Sequence, residues 1–138
     1  MKLTLKIVSV VFLAVGFVFL GFGFREWMKP SGREHARDVM SSITPDKLIA
    51  GCGKPIRDER VTLGATDLRR MYYQGAVYPG HGRYLCVVTF GRMEGRGDWF
   101  PHLRPFAFGS TDTGFVPGSY TFEDDPETQM HMLPCIDR

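Results

Sequence analysis

Three cysteines, Cys52, Cys86 and Cys135, and four histidines, His35, His81, His102 and His131, are the side chains best equipped for chemistry. Thiolates and imidazoles together are the ligands of zinc. Here there is no C-x-x-C pair, and no second histidine stands at ligand spacing from the His131/Cys135 pair. Met130-His131-Met132 offers thioether and imidazole donors of the kind that suit Cu(I). Three consecutive residues do not enclose an ion, and a docking tail accounts for them as well. Nucleophilic catalysis needs a serine or cysteine, a base and an orienting carboxylate. No G-x-S-x-G is present and the histidines are scattered. Gly80-x-Gly82 and Gly95-x-Gly97 lack the helix and lysine of a phosphate loop. Arg96-Gly97-Asp98 spells a cell-adhesion tripeptide that is equally an ordinary turn. No catalytic residue, cofactor or metal ligand is assigned.

A structural disulfide is the simpler use of the thiols. In an oxidising compartment three cysteines form one pair and leave one thiol. Three pairings are open, and spacing does not choose among them. A bond tying the tail to the sheet joins Cys86 to Cys135. The plain alternative is small buried thiols.

Aromatic side chains are the other candidate. Tyr72, Tyr73, Trp99 and Phe100 belong to extended stretches, together with Tyr84, Phe106 and Phe108. A small sheet covered on one face leaves the other partly open, and aromatics there anchor protein partners. If the C-terminal segment covers that face, the same residues are simply core.

The longest apolar run is residues 7–24, bounded by Ile7 and Phe24, 18 residues without a charge. As a helix it spans ~27 Å, close to a hydrocarbon core of ~30 Å. Trp27 follows at an interfacial position, with Arg25 and Lys29 placed to reach headgroups. A single-pass anchor in the lipid bilayer is the expectation. The rival is a cleaved signal, with Lys2 and Lys6 before the run and Gly21 and Gly23 near its end. A buried helix of a soluble domain is the third reading, weakened by the lack of any polar side to define a solvent face. The flanking basic residues lean towards a cytoplasmic C-terminal part. The extreme N-terminal position and the cysteines favour an extracytoplasmic, periplasmic domain, which is the expectation adopted.

Beyond the run the chain suits one domain. Glu34 lies three residues after Ser31, a capping box, and Ala36, Val39, Met40 and Ile43 make one helical stripe. Thr44 and Pro45 start a second short helix that Gly51, Gly53 and Pro55 end. A short strand fits 61–63 and a longer one 68–77. The 83–92 stretch is apolar on both sides and should be the central strand. Trp99 and Phe100 begin a third strand that Pro101 and Pro105 interrupt. From about Gly109 the pattern fades, with a short edge strand at Tyr120 and Phe122, an acidic turn or exposed segment at 123–127, and Met130, Met132, Leu133 and Ile136 docking the tail. The predicted fold is therefore α+β: an N-terminal transmembrane helix, then two short helices packed on an antiparallel sheet of three or four strands. Residues 1–27 form the anchor or signal and 28–138 the single domain, irregular in its C-terminal segment.

Charge excludes one class of partner. The formal net charge is +2, and the basic excess lies in the first half while the tail is acidic. A nucleic-acid binder needs a basic face, so no nucleic acid is expected. The chain has no asparagine, hence no N-glycosylation acceptor.

The run Thr44-Pro45-Asp46-Lys47-Leu48-Ile49-Ala50-Gly51-Cys52-Gly53-Lys54-Pro55, followed by Met71-Tyr72-Tyr73 and Val87-Val88-Thr89-Phe90, resembles the BamE-like (SmpA/OmlA) envelope lipoproteins. The repeats of the beta-lactamase-inhibitor protein share that plan. The resemblance covers about half the chain and implies a short helix ending in a G-x-P turn, an antiparallel sheet, and binding of proteins without chemistry. The chain departs from the group in having an apolar run and no lipidation cysteine.

Together these features predict a membrane-anchored, non-catalytic protein-binding domain of the cell envelope. The alternative is a small secreted or anchored enzyme, or a metal-binding protein, that uses the Cys and His residues.

Overall fold

The computed structural model describes residues 32–113 and 119–138. Helix α1 (Gly32–Ser41) presents Ala36 and Met40 as its buried stripe. Helix α2 (Pro45–Cys52) begins where Thr44 accepts a hydrogen bond from the Lys47 amide at 3.2 Å. Pro45 fits its first turn because no amide is needed there. Gly53, at φ 81°, ends it by donating its amide to the Ile49 carbonyl.

Strands β1 (Arg57–Leu63), β2 (Thr66–Val77), β3 (Arg83–Met93), β4 (Arg96–Ser110) and β5 (Thr121–Phe122) follow. They form one antiparallel meander in the order β1-β2-β3-β4-β5. β3 holds the middle because residues on both of its sides, Leu85 to Val88 and Phe90, are buried. The β3–β4 turn is a two-residue loop in which Glu94 (φ 50°) and Gly95 (φ 69°) both take positive φ. That twist suits a tight hairpin. It also puts Arg96-Gly97-Asp98 at the start of a strand. Helix α3 (Pro126–Met132) and a 3-10 turn (Pro134–Asp137) close the chain.

The fold corrects the expected class in two respects. Among the described residues the sheet has five strands, not three or four, and three α-helices accompany it, not two. β1 reaches back to Arg57 because its charged residues stand on an exposed edge, where alternation of apolar and polar residues is not required. The 123–127 segment, expected as an acidic turn or exposed segment, leads into a helix that begins at Pro126. Asp125 caps α3 by accepting from the Thr128 amide at 3.2 Å, and Pro126 takes the first turn. Among the described residues no helix is long and apolar enough to cross a membrane. The proposed span at 7–24 and the Ser31 cap lie outside the described residues.

The helices cover one face of the sheet. Met71, Tyr73, Cys86, Val88, Phe90 and Phe106 meet Met40, Ile43, Leu48, Met132, Leu133 and Ile136 there. Phe90, Phe106 and Val88 are fully enclosed, each burying an apolar side chain worth roughly 1.5–3 kcal/mol. This core holds the sheet rigid and leaves its second face to the surface.

Candidate docking face

Alternation along the strands sends Tyr72, Val87 and Ala107 to the second face, where they form a smaller buried cluster with Tyr120 packed against it. The Tyr72 hydroxyl donates to Glu59 Oε2 at 2.8 Å. Glu59 is also ion-paired with Arg57, whose guanidinium lies 5.7 Å from the Tyr72 ring centre. The Tyr120 ring meets Tyr72 edge-on, with centroids 6.1 Å apart. Burial, and then the hydrogen bond to Glu59, push the Tyr72 phenol up to about 12. Burial likewise raises Tyr120, whose hydroxyl is enclosed and finds no hydrogen-bond partner among the described residues.

Around this centre large apolar side chains stand in solvent. Phe100 pairs with Gly91 and is 48% exposed; Phe122 pairs with Ala107 and is 51% exposed. Phe122 lies under Arg104, whose guanidinium is 4.4 Å from the ring centre. Asp124 accepts both Arg104 donors, at 3.0 and 2.8 Å, and this holds its carboxyl below the usual range. Between Pro101 and Pro105, β4 carries extra residues against β3, since Phe90 pairs with Pro101 but Val88 with Phe106. Such a bulge disrupts the ladder locally, and Leu103 within it is 95% exposed. At the hairpin end Leu63 and Met93 are also exposed.

The structure divides the four aromatics singled out from sequence. Tyr72 and Phe100 are on this face. Tyr73 and Trp99 are on the helix side, because each is one residue out of phase with its neighbour. The Tyr73 hydroxyl donates to the Gly53 carbonyl at 2.9 Å, and burial pushes it up to about 12. Trp99 packs against the helix-side core with the Arg92 guanidinium 4.3 Å from its ring. Arg57, Glu59, Arg104, Tyr120 and Phe122 join the face unannounced, and the exposed Leu103 lies beside it in the β4 bulge. The alternation of Tyr120 and Phe122 is the one local signal for any of them.

The thiols need a correction. Cys135 pairs with Cys52, not with Cys86, with Cα atoms 5.0 Å apart. The 3-10 turn carries Cys135 to the end of α2, whereas Cys86 points into the core from β3. Cys86 is a buried free thiol 4.0 Å from the Met132 carbonyl, and burial pushes it up to about 12. A thiol held protonated this firmly is a poor nucleophile.

The histidines do not converge on the cysteines. His35 Nε2 bonds the Asp137 carboxylate at 2.9 and 3.0 Å, joining α1 to the 3-10 turn. His81 packs on Tyr78, while His102 and His131 are exposed. Among the described residues no group of three His, Cys, Asp or Glu side chains is arranged to hold a metal. A cleft of about 240 Å³ lies between α1, α2 and the last residues, and Lys47 at its rim donates to the Ser42 carbonyl at 3.1 Å.

Compared with known protein families, curated proteins and solved structures, the chain matches none.

Proposed function

We propose that this chain is a non-catalytic protein-binding domain that works at a membrane, outside the cytoplasm, and engages its partner through the second face of the sheet. The observation that carries the reading is the combination of a firmly built centre with exposed anchors around it. Tyr72 is fixed by Glu59, Arg57 and Tyr120. Phe100, Leu103 and Phe122 are 48%, 95% and 51% exposed. Aromatic and arginine side chains, held rigid and rimmed by polar groups, are what hot spots are made of. The Cys52–Cys135 disulfide supports an oxidising compartment. The uncharged run at 7–24 supports attachment to a bilayer. The resemblance of residues 44–55 and of the β2 and β3 motifs to the BamE-like group points in the same direction.

The test uses the full chain solubilised from its native membrane, beside a Phe100→Asp/Leu103→Asp variant. Both positions are exposed, so the variant should unfold at the same temperature as the parent. The parent should retain one defined protein through purification and the variant should lose at least nine-tenths of it. Equal retention by both chains, or none by either, would overturn the reading.

A further inference from the structure

We propose that the Cys52–Cys135 disulfide is a redox latch on a C-terminal strap, formed by α3 and the 3-10 turn, and that reducing it opens the strap over the helix-side core while the sheet stays folded. The latch lies on the helix side of the molecule, away from Tyr72 and the second face.

The strap is built to move as a unit. It pairs with no strand, and its neighbours are α1, α2 and β2. α3 has seven residues, too few to persist as a helix without packing. It is nonetheless seated closely. A side chain at Gly75 would collide with the Met132 carbonyl, and one at Gly51 with the Cys135 carbonyl. The strap backbone therefore rests directly on β2 and α2, with the Cys86 sulfur beneath it. Met132, Leu133 and Ile136 add apolar contacts, Gln129 donates to the Glu123 carbonyl at 2.6 Å, and Asp137 meets His35. The disulfide is the covalent fastening among these.

Cys52 and Cys135 are both partly exposed, whereas Cys86 is fully buried. A dithiol reductant can therefore reach the latch and not the thiol under the strap. One reductant thiolate attacks a latch sulfur, the Cys52–Cys135 bond breaks, and a mixed disulfide forms. The second reductant thiol then displaces the protein sulfur. Two electrons pass to the protein, both cysteines take up a proton, and the reductant leaves as a cyclic disulfide. With the latch open, the strap is held by three apolar side chains, the buried Gln129 and the exposed His35–Asp137 contact, with no covalent tie. Local opening of such a segment requires less free energy than global unfolding. In an oxidising compartment the core is sealed; in a reducing one it is only loosely covered.

Cys86 reports the strap position. The full chain in detergent is treated with a maleimide, and Cys86 labelling is followed by peptide mass spectrometry with the disulfide intact and after reduction by a dithiol. The Cys52→Ser/Cys135→Ser variant is labelled in parallel without reductant. Cys86 should label at least tenfold faster after reduction and in the variant, with the far-ultraviolet circular dichroism of the sheet retained. The rate should depend only weakly on urea below the unfolding transition. An acceleration below tenfold would overturn the latch, as would labelling that follows the global transition in urea. Reduced wild-type protein supplies the answer by itself if the double variant does not fold.

Discussion

At the scale of single residues, the second face carries one imperfection that makes a sharp test. The Tyr120 hydroxyl is enclosed without a hydrogen-bond partner among the described residues. A buried polar group left unmatched costs about 1–3 kcal/mol. Tyr120→Phe keeps the edge-on contact with Tyr72 and removes the cost. It should raise the urea midpoint by an amount equivalent to about 1 kcal/mol, and a lowered midpoint would show that the hydroxyl is satisfied. The ionisable core groups set a second expectation. Tyr72 and Tyr73 are pushed from an ordinary 10 up to about 12, and Cys86 from 9 up to about 12, burial being the leading cause each time. A raised folded-state value means that the folded chain keeps protons which the unfolded chain has already lost. The contribution is complete below about pH 9, shrinks as pH rises, and is gone above about pH 12. Urea midpoints measured from pH 8 to 11 should therefore fall steadily above pH 9. Tyr73→Phe should flatten that fall, because one of the groups that burial raises is gone.

At the scale of elements, the parts legible in the sequence are those in which local chemistry and tertiary need agree. Thr44, Pro45 and Gly53 fix both ends of α2 by capping alone. The two-sided apolar pattern of 83–92 is what a middle strand requires, and β3 occupies that position. The illegible parts depend on partners distant in the chain. β1 reads as polar loop because Arg57, Asp58, Glu59 and Arg60 reveal nothing until β2 stands opposite them. There Asp58 accepts from Arg69, and Glu59 accepts from the Tyr72 hydroxyl. The second face is half legible for a related reason. Tyr72 and Tyr73 are adjacent, so a strand must send them to opposite faces, yet aromatic content alone does not say which face the helices cover. The disulfide could not be read because Cys52 and Cys135 meet only when the tail folds back as a helix and a 3-10 turn. That folding back gives the element-scale expectation. Gly75 sits against the Met132 carbonyl with no room for a methyl group. Gly75→Ala should cost about 1–3 kcal/mol through overpacking, with the loss visible as faster hydrogen exchange in α3. Unchanged stability would mean that the strap is seated less closely than the structure describes.

At the scale of the whole molecule, the fold is a rigid sheet with a sealed side and a presenting side. The disulfide closes a sequence separation of 83 residues. For a loop of that length the unfolded chain loses enough freedom to favour the folded state by about 4.5 kcal/mol. Reduction should accordingly lower the urea midpoint without abolishing cooperative unfolding, and an unchanged midpoint would contradict a stabilising bond. The sealed side holds the geometry on which the presenting side depends, since Tyr72 and Val87 share strands β2 and β3 with Met71, Tyr73, Cys86 and Val88. Whether that presenting side meets a partner is tested most directly by site-specific photocrosslinking in the native membrane. A photoreactive residue is placed at Phe100 or at Leu103, and as a control at Lys54, which is also exposed but follows α2. One discrete protein adduct from Phe100 and Leu103, absent from Lys54, is the expected result. Adducts of equal yield from all three positions, or from none, would contradict the account.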